Sequence, residues 1–227
     1  MELHNTLNPK LFTNDKKLKE EIRHHIIQTV NTFIEQAEIP VTDVVDVQLV
    51  GSNVSYNYTD KSDLDVHIIL NIALIDDNEA LVREYFNLLK SNFNSNHDIK
   101  LKGIPVEIYI DDVTNGVVSN GIYSVITNTW IKEPKPIKPV TFNIDELVNK
   151  WVGKIQQSLE KYDKEETTDL INTLYLIRKN AIAVDGEYSV GNQLFKEIRN
   201  LGYLDALKTH LKEIETQTLS LEQLFKI

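Results

Sequence analysis

Gln48-Leu49-Val50-Gly51-Ser52, a polar loop over residues 53–62, and then Asp63-Leu64-Asp65-Val66-His67-Ile68-Ile69-Leu70 form the stretch around which this chain is organised. Residues 44–50 and 64–70 are apolar and rich in β-branched side chains, which predicts two strands. Side chains alternate along a strand, so Asp63, Asp65 and His67 share one face while Leu64, Val66 and Ile68 take the other. Two carboxylates at i and i+2 stand about 6.6 Å apart at Cα. That spacing adds nothing to strand stability, but it suits convergence on a hard divalent cation, or on two cations about 3.5–4 Å apart.

Gly51-Ser52 closes the first strand. A glycine there lets backbone N–H groups approach an anion where a Cβ would intrude, and Ser52 adds a hydroxyl donor. A phosphate cradle next to a carboxylate pair is the chemistry of a nucleoside triphosphate with Mg²⁺, because the metal bridges the oxygens that the loop holds. Lys61, just before the carboxylates, is a further candidate for a phosphate. Tyr56 and Tyr58 either stack on a base or pin the loop to the sheet. His67 either hydrogen-bonds a metal-bound carboxylate or packs beneath a helix.

Val50-Gly51-Ser52, a polar spacer, and Asp63-Leu64-Asp65-Val66 together resemble the signature of the nucleotidyltransferase superfamily typified by DNA polymerase β. The resemblance implies a third carboxylate on a neighbouring strand. The match for it is Glu107, a lone acid in Gly103-Ile104-Pro105-Val106-Glu107-Ile108-Tyr109-Ile110. Asp111 and Asp112 are alternatives, read first as a turn signal. Ser62-Asp63-Leu64-Asp65-Val66-His67 and the segment from Asp185 to Leu204 are similar to predicted nucleotidyltransferases of bacteriophage genomes. The resemblance implies an NTP donor and two Mg²⁺ ions held by Asp63, Asp65 and Glu107, with no fixed acceptor.

The chain of 227 residues accommodates one large or two modest lobes, and two are expected. It has no cysteine, which excludes disulfides and thiolate-bound metals and makes a cytoplasmic setting the expectation, the host cytoplasm if the chain is phage-encoded. No apolar run approaches the roughly 20 residues of a membrane span, so a soluble protein is expected. Lys and Arg number 24 against 34 acidic residues, a formal charge of −10, which argues against a broad grip on nucleic acid.

In order along the chain, residues 15–38 have helical spacing, with Leu18, Ile22, Ile26, Val30, Phe33 and Ala37 on one face and Asn14 or Asp15 as cap. Asp76 or Asp77 is expected to cap a helix over 78–92 with Leu81, Tyr85, Leu88 and Leu89 inward. Short strands are expected over 99–101 and 104–110, and another near 122–126. The proline-rich run from Ile131 to Pro139 reads as a linker, with the boundary set at 134–140. Helical periodicity then covers 144–162, 165–184, 191–202 and 204–216, with a last turn from Leu219. Arg178 and Lys179 on the second of these helices are candidate phosphate contacts, against a surface role.

The expected class is therefore α+β: a nucleotidyltransferase lobe over 1–133 with a mixed sheet flanked by helices, a linker, and a helical bundle over 141–227. As an enzyme the chain would pass a nucleoside monophosphate to a hydroxyl of an RNA 3′ end, a small molecule, another nucleotide or a protein. The rival readings are a non-catalytic nucleotide sensor and a defence-related partner protein.

Overall fold

Residues 44–50 and 64–70 pair antiparallel as β1 (Val44–Val50) and β2 (Leu64–Leu70), at the expected bounds. The computed structural model describes residues 3–136, 143–186 and 188–220. On its other side β2 pairs in parallel with β4 (Ile104–Asp112). Parallel neighbours need a crossover, and the helix α2 (Glu79–Asn96) supplies it. β3 (Lys100–Leu101) is the short outer arm of a hairpin with β4, while β5 (Ile122–Ser124) and β6 (Thr129–Lys132) extend the far side. The mixed sheet has six strands in the order β3-β4-β2-β1-β5-β6.

One face of this sheet carries the core. Leu64, Val66 and Ile68 of β2, with Val106 and Ile108 of β4, pack against Ile22, Ile26, Val30 and Phe33 of α1 (Glu20–Gln36) and against Val82, Phe86 and Phe93 of α2. Phe33 meets Phe93 edge-on at 5.1 Å between centroids. The opposite face holds Asp65, His67, Glu107 and Tyr109, all partly accessible. Beyond the short β3, the outer edge of β4 is closed by a side chain: the Asn94 amide donates to the Ile108 carbonyl at 2.9 Å and accepts from the Ile108 N–H at 3.0 Å.

Several expectations need correction. The first helix begins at Glu20 rather than near Asp15, because Leu18 bridges back to Phe12 and the Lys19 N–H is taken by the Leu11 carbonyl. On α2 the cap is Asn78, whose side chain accepts from the Leu81 N–H, and the helix runs to Asn96. Its inward stripe is Val82, Phe86 and Phe93, with Leu89 partly buried against the core as expected, leaving Leu81, Tyr85 and Leu88 at 61%, 49% and 66% exposure. At its first two turns the stripe sits one position C-terminal to the expected one, Val82 and Phe86 facing the core in place of Leu81 and Tyr85, since a phenylalanine buries its whole ring whereas a tyrosine keeps its hydroxyl near water. Ile131 and Lys132 belong to β6 instead of a linker. Asp111 and Asp112 end β4 rather than turning the chain, and both have partners, Asp111 in a hydrogen bond with His67 and Asp112 in an ion pair with Arg83.

The chain divides into two compact units, Met1–Lys138 and Pro139–Ile227. Much of the expected linker lies in residues 137–142, outside the described residues, whereas the Lys135 carbonyl still accepts from Asn120 of the first unit at 3.0 Å. The second unit packs α3 (Asp145–Leu159), α4 (Lys164–Asp185), α5 (Val190–Asn200) and α6 (Tyr203–Leu219) around Ile155, Leu174, Phe195, Ile198 and Leu207. Gly186 follows α4 at its C-terminal end, and Ser189 occupies the N-cap position of α5 without its hydroxyl making a capping hydrogen bond. The expected last turn falls mostly on residues 221–227, outside those described. Among the described residues no helix is long and apolar enough to cross a membrane.

Candidate active site

The parallel register between β2 and β4 sets Asp65 opposite Glu107, so the two carboxylates rise from adjacent strands on the accessible face. Asp63 stands one residue before β2, and ligand oxygens of Asp63, Asp65 and Glu107 all lie within 4.8 Å of one another. Three oxygen donors this close in a partly buried setting match the preference of a hard divalent cation. Tyr109, on the same sheet face, donates its phenol hydrogen to Glu107 Oε2 at 2.5 Å. Burial, reinforced by that bond and by the charges of Asp65, Glu107 and Asp63, pushes the Tyr109 pKa up, which keeps the phenol protonated as a donor. The Tyr109 ring stacks on His67 at 4.8 Å and carries the Lys90 ammonium at 4.4 Å on its face.

Gly51 follows β1 with φ 81 and ψ −165, a conformation that side chains disfavour. A Cβ at this position would stand 2.1 Å from Asp65 Oδ2, so the bare backbone is what allows the carboxylate to lie against the turn. The Gly51 N–H donates to Ser119 Oγ at 3.2 Å, and the Ser119 carbonyl accepts from Lys132 Nζ at 2.5 Å, which brings a cation beside the turn. Ser52 is nearly buried and its hydroxyl donates to Ser62 Oγ at 2.9 Å. That bond ties the start of the loop to its end.

Asn53 does the same more strongly. Its amide donates to the carbonyls of Ser62 at 3.1 Å and Asp63 at 2.7 Å, and its carbonyl accepts from Asn8 at 2.7 Å. The backbone leading into the first carboxylate is therefore held from inside the loop. Tyr56 is buried, and Tyr58 stacks on His4 at 3.8 Å, so both aromatic rings pin the loop. Lys61 is an exposed loop residue whose N–H donates to Thr59 Oγ1 at 3.3 Å.

The structure thus brings together Asp63, Asp65 and Glu107 with Gly51 against them. Arg178 and Lys179 are on α4 of the second unit, where the Arg178 guanidinium covers the Phe195 ring at 4.9 Å and Lys179 is exposed. Sequence reasoning missed Asn53, Ser119, Lys132 and Tyr109. Tyr109 was within reach, being two residues from Glu107 and so on its face of the strand. Asn53 and Ser119 act across folded distances that no local pattern reports.

No family model matches the chain, and no curated protein matches it. Among solved structures it is similar to the STING-associated CdnE c-di-GMP synthase from Capnocytophaga granulosa, at 14% identity and a TM-score of 0.22, over 88% of this chain and 84% of that one. A TM-score of 0.22 establishes no common fold. The residues themselves present three converging carboxylates against a turn that has no room for a side chain.

Proposed function

We propose that the chain is a nucleotidyltransferase, transferring a nucleoside monophosphate from an NTP to an acceptor hydroxyl with release of pyrophosphate. The observation that carries this reading is the convergence of Asp63, Asp65 and Glu107 within 4.8 Å. Mg²⁺ fits this all-carboxylate donor set, held by Asp63 and Asp65 from one strand and Glu107 from the next; two such ions, when bound, supply charge neutralisation at the phosphates and acidify the attacking hydroxyl.

The chain's own residues then have separable tasks. The Gly51-Ser52 turn lets the triphosphate lie close to the carboxylates, with Lys132 and Lys61 offering positive charge, while the Gly51 N–H and the Ser52 hydroxyl are engaged by Ser119 and Ser62. Glu107, oriented by the Tyr109 phenol, takes the acceptor's hydroxyl proton at a carboxylate oxygen as the acceptor's own oxygen bonds to the α-phosphorus. The bond from the α-phosphorus to the bridging oxygen breaks, and pyrophosphate leaves with the electron pair. An RNA 3′ end and a small molecule are both acceptors compatible with this chemistry.

The test tracks label from α-³²P NTPs with Mg²⁺ into a pool of RNA, nucleosides and small hydroxylated molecules. Asp63→Asn and Asp65→Asn are each expected to lose more than about 10²-fold in transfer, with thermal unfolding close to that of the parent chain. Normal turnover in either variant would overturn the assignment. Nucleotide binding without any Mg²⁺-dependent release of pyrophosphate would leave a binding module instead of an enzyme.

A further inference from the structure

A cavity of about 340 Å³ opens on the same sheet face as the carboxylates, toward the other end of β2. Its floor is Asp46, Gln48 and Ile69, and its walls include Val45, Val113 and Ile126. The face is shared because Gln48 lies opposite His67 and Asp46 opposite Ile69 in the β1–β2 register, and His67 and Ile69 alternate in phase with Asp65.

The polar part of the floor is rigid. Asp46 Oδ1 accepts from the Val47 N–H at 2.8 Å and from Ser124 Oγ at 2.7 Å, while Asp46 Oδ2 accepts from Gln48 Nε2 at 3.2 Å. A carboxylate cannot accept from a carbonyl oxygen, so the Gln48 amide is fixed with its nitrogen toward Asp46. Its Oε1 and second N–H are then an adjacent acceptor and donor in one plane, the pattern with which a glutamine reads a base edge. The lining contains two carboxylates, Asp46 and Asp112, and neither lysine nor arginine among the described residues. Phosphate is disfavoured there, and a flat uncharged ring between aliphatic walls is favoured.

Distances along the strand connect this cavity to the chemistry. Gln48 is level with His67, about 6.6 Å along β2 from Asp65, and Ile69 is about 13 Å from it. A nucleoside laid along the strand reaches from the level of Asp65, at its sugar hydroxyl, to that of Gln48, at its base, with the stacked His67 and Tyr109 rings beneath it. We infer that the cavity receives the base of a single nucleoside or nucleotide acceptor, whose hydroxyl then lies at Glu107. This inference rests on the transfer reading above and narrows its acceptor to a nucleoside-sized molecule.

Adenosine, guanosine, cytidine and uridine, unphosphorylated and without metal, are titrated into the full-length protein by calorimetry or ligand-observed NMR. Two variants address the cavity: Gln48→Leu removes the amide at similar volume, and Gly116→Leu fills the space from a position where an added Cβ meets nothing within 4 Å. The expected result is binding of at least one nucleoside, weakened about 10-fold or more by each variant, which is about 1.4 kcal/mol, with Mg²⁺–ATP affinity kept within about 2-fold. No nucleoside binding at millimolar concentration, or binding that both variants leave unchanged, overturns the inference. If the cavity behaves as expected but Asp63→Asn transfers label normally, the transfer reading fails and the nucleoside site stands.

Discussion

A methyl group on residue 51 would stand 2.1 Å from Asp65 Oδ2, at a φ of 81 that alanine resists. Gly51→Ala is therefore expected to lose more than about 1 kcal/mol of stability and, by displacing Asp65, to weaken Mn²⁺ binding at least about 10-fold. Calorimetric titration with Mn²⁺ checks it, and unchanged affinity would mean that turn and carboxylate are not coupled. Asp112 makes a different residue-scale case. The Thr114 hydroxyl, at 2.7 Å, and the Arg83 guanidinium hold its carboxyl at a pKa of about 2, below the ordinary 3.8. Because the folded pKa is the lower one, its contribution to stability is complete above about pH 4 and is lost as pH falls toward 2. Asp112→Asn should flatten that part of the stability–pH curve measured by chemical denaturation; a curve parallel to the parent's would remove Asp112 from the acid response. The grouping of Asp65 and Glu107 was legible in the sequence because a charge inside an apolar strand has no structural reason to be there, and that of Asp63 because it stands two residues before Asp65 at the strand's entrance. Asp112 was not, since its partner Arg83 lies 29 positions away and a consecutive acid pair is usually a turn.

At the scale of elements, β1 and β2 emerged with their bounds because strand alternation and β-branched composition agree over seven residues each. α2 emerged as a helix with its face misassigned. Leu81, Tyr85 and Leu88 have the spacing of an inward stripe, yet Val82, Phe86 and Phe93 have it too, and only the sheet decides between them. Phe86→Ala should cost about 3–5 kcal/mol, whereas Leu88→Ala should stay within about 0.5 kcal/mol, both from urea unfolding. Equal costs would place the helix in another rotation. The segment before α1 was not legible as structure at all. Leu7, Leu11 and Phe12 are buried without helical or strand periodicity, held by a Phe12–Leu18 bridge and by the Asn8 bond to Asn53. This irregular arm thereby supports the loop that leads to Asp63. β6 went unseen because two of its four residues, Ile131 and Lys132, open a proline-rich run whose composition reads as linker.

The whole molecule is two units with separate apolar cores, one built on a sheet and one on helices alone. The change in periodicity after Pro139 announced the second unit, and three prolines within 134–139 announced the division. A formal charge of −10 disfavours a long polyanion as a partner at this scale, because such a polymer gains little from an acidic surface. The same sheet that carries the carboxylates also has an outer margin along β4. β3 covers only the first residues of the nine-residue β4, and beyond them a short row of outward backbone groups runs from the Val106 carbonyl through Ile108 to Ile110, the Asp112 carbonyl being taken by the Asn115 N–H; a row of this kind can recruit a strand from another copy. By occupying both polar groups of Ile108, Asn94 interrupts the row at its middle. Asn94→Ala is thus expected to make the protein self-associate as concentration rises, seen as growing scattering mass with little change in helical signal. A variant that stays monodisperse throughout would show that the flank is guarded elsewhere. One amide side chain on a crossover helix accordingly bears on whether the chain remains dispersed as its concentration rises.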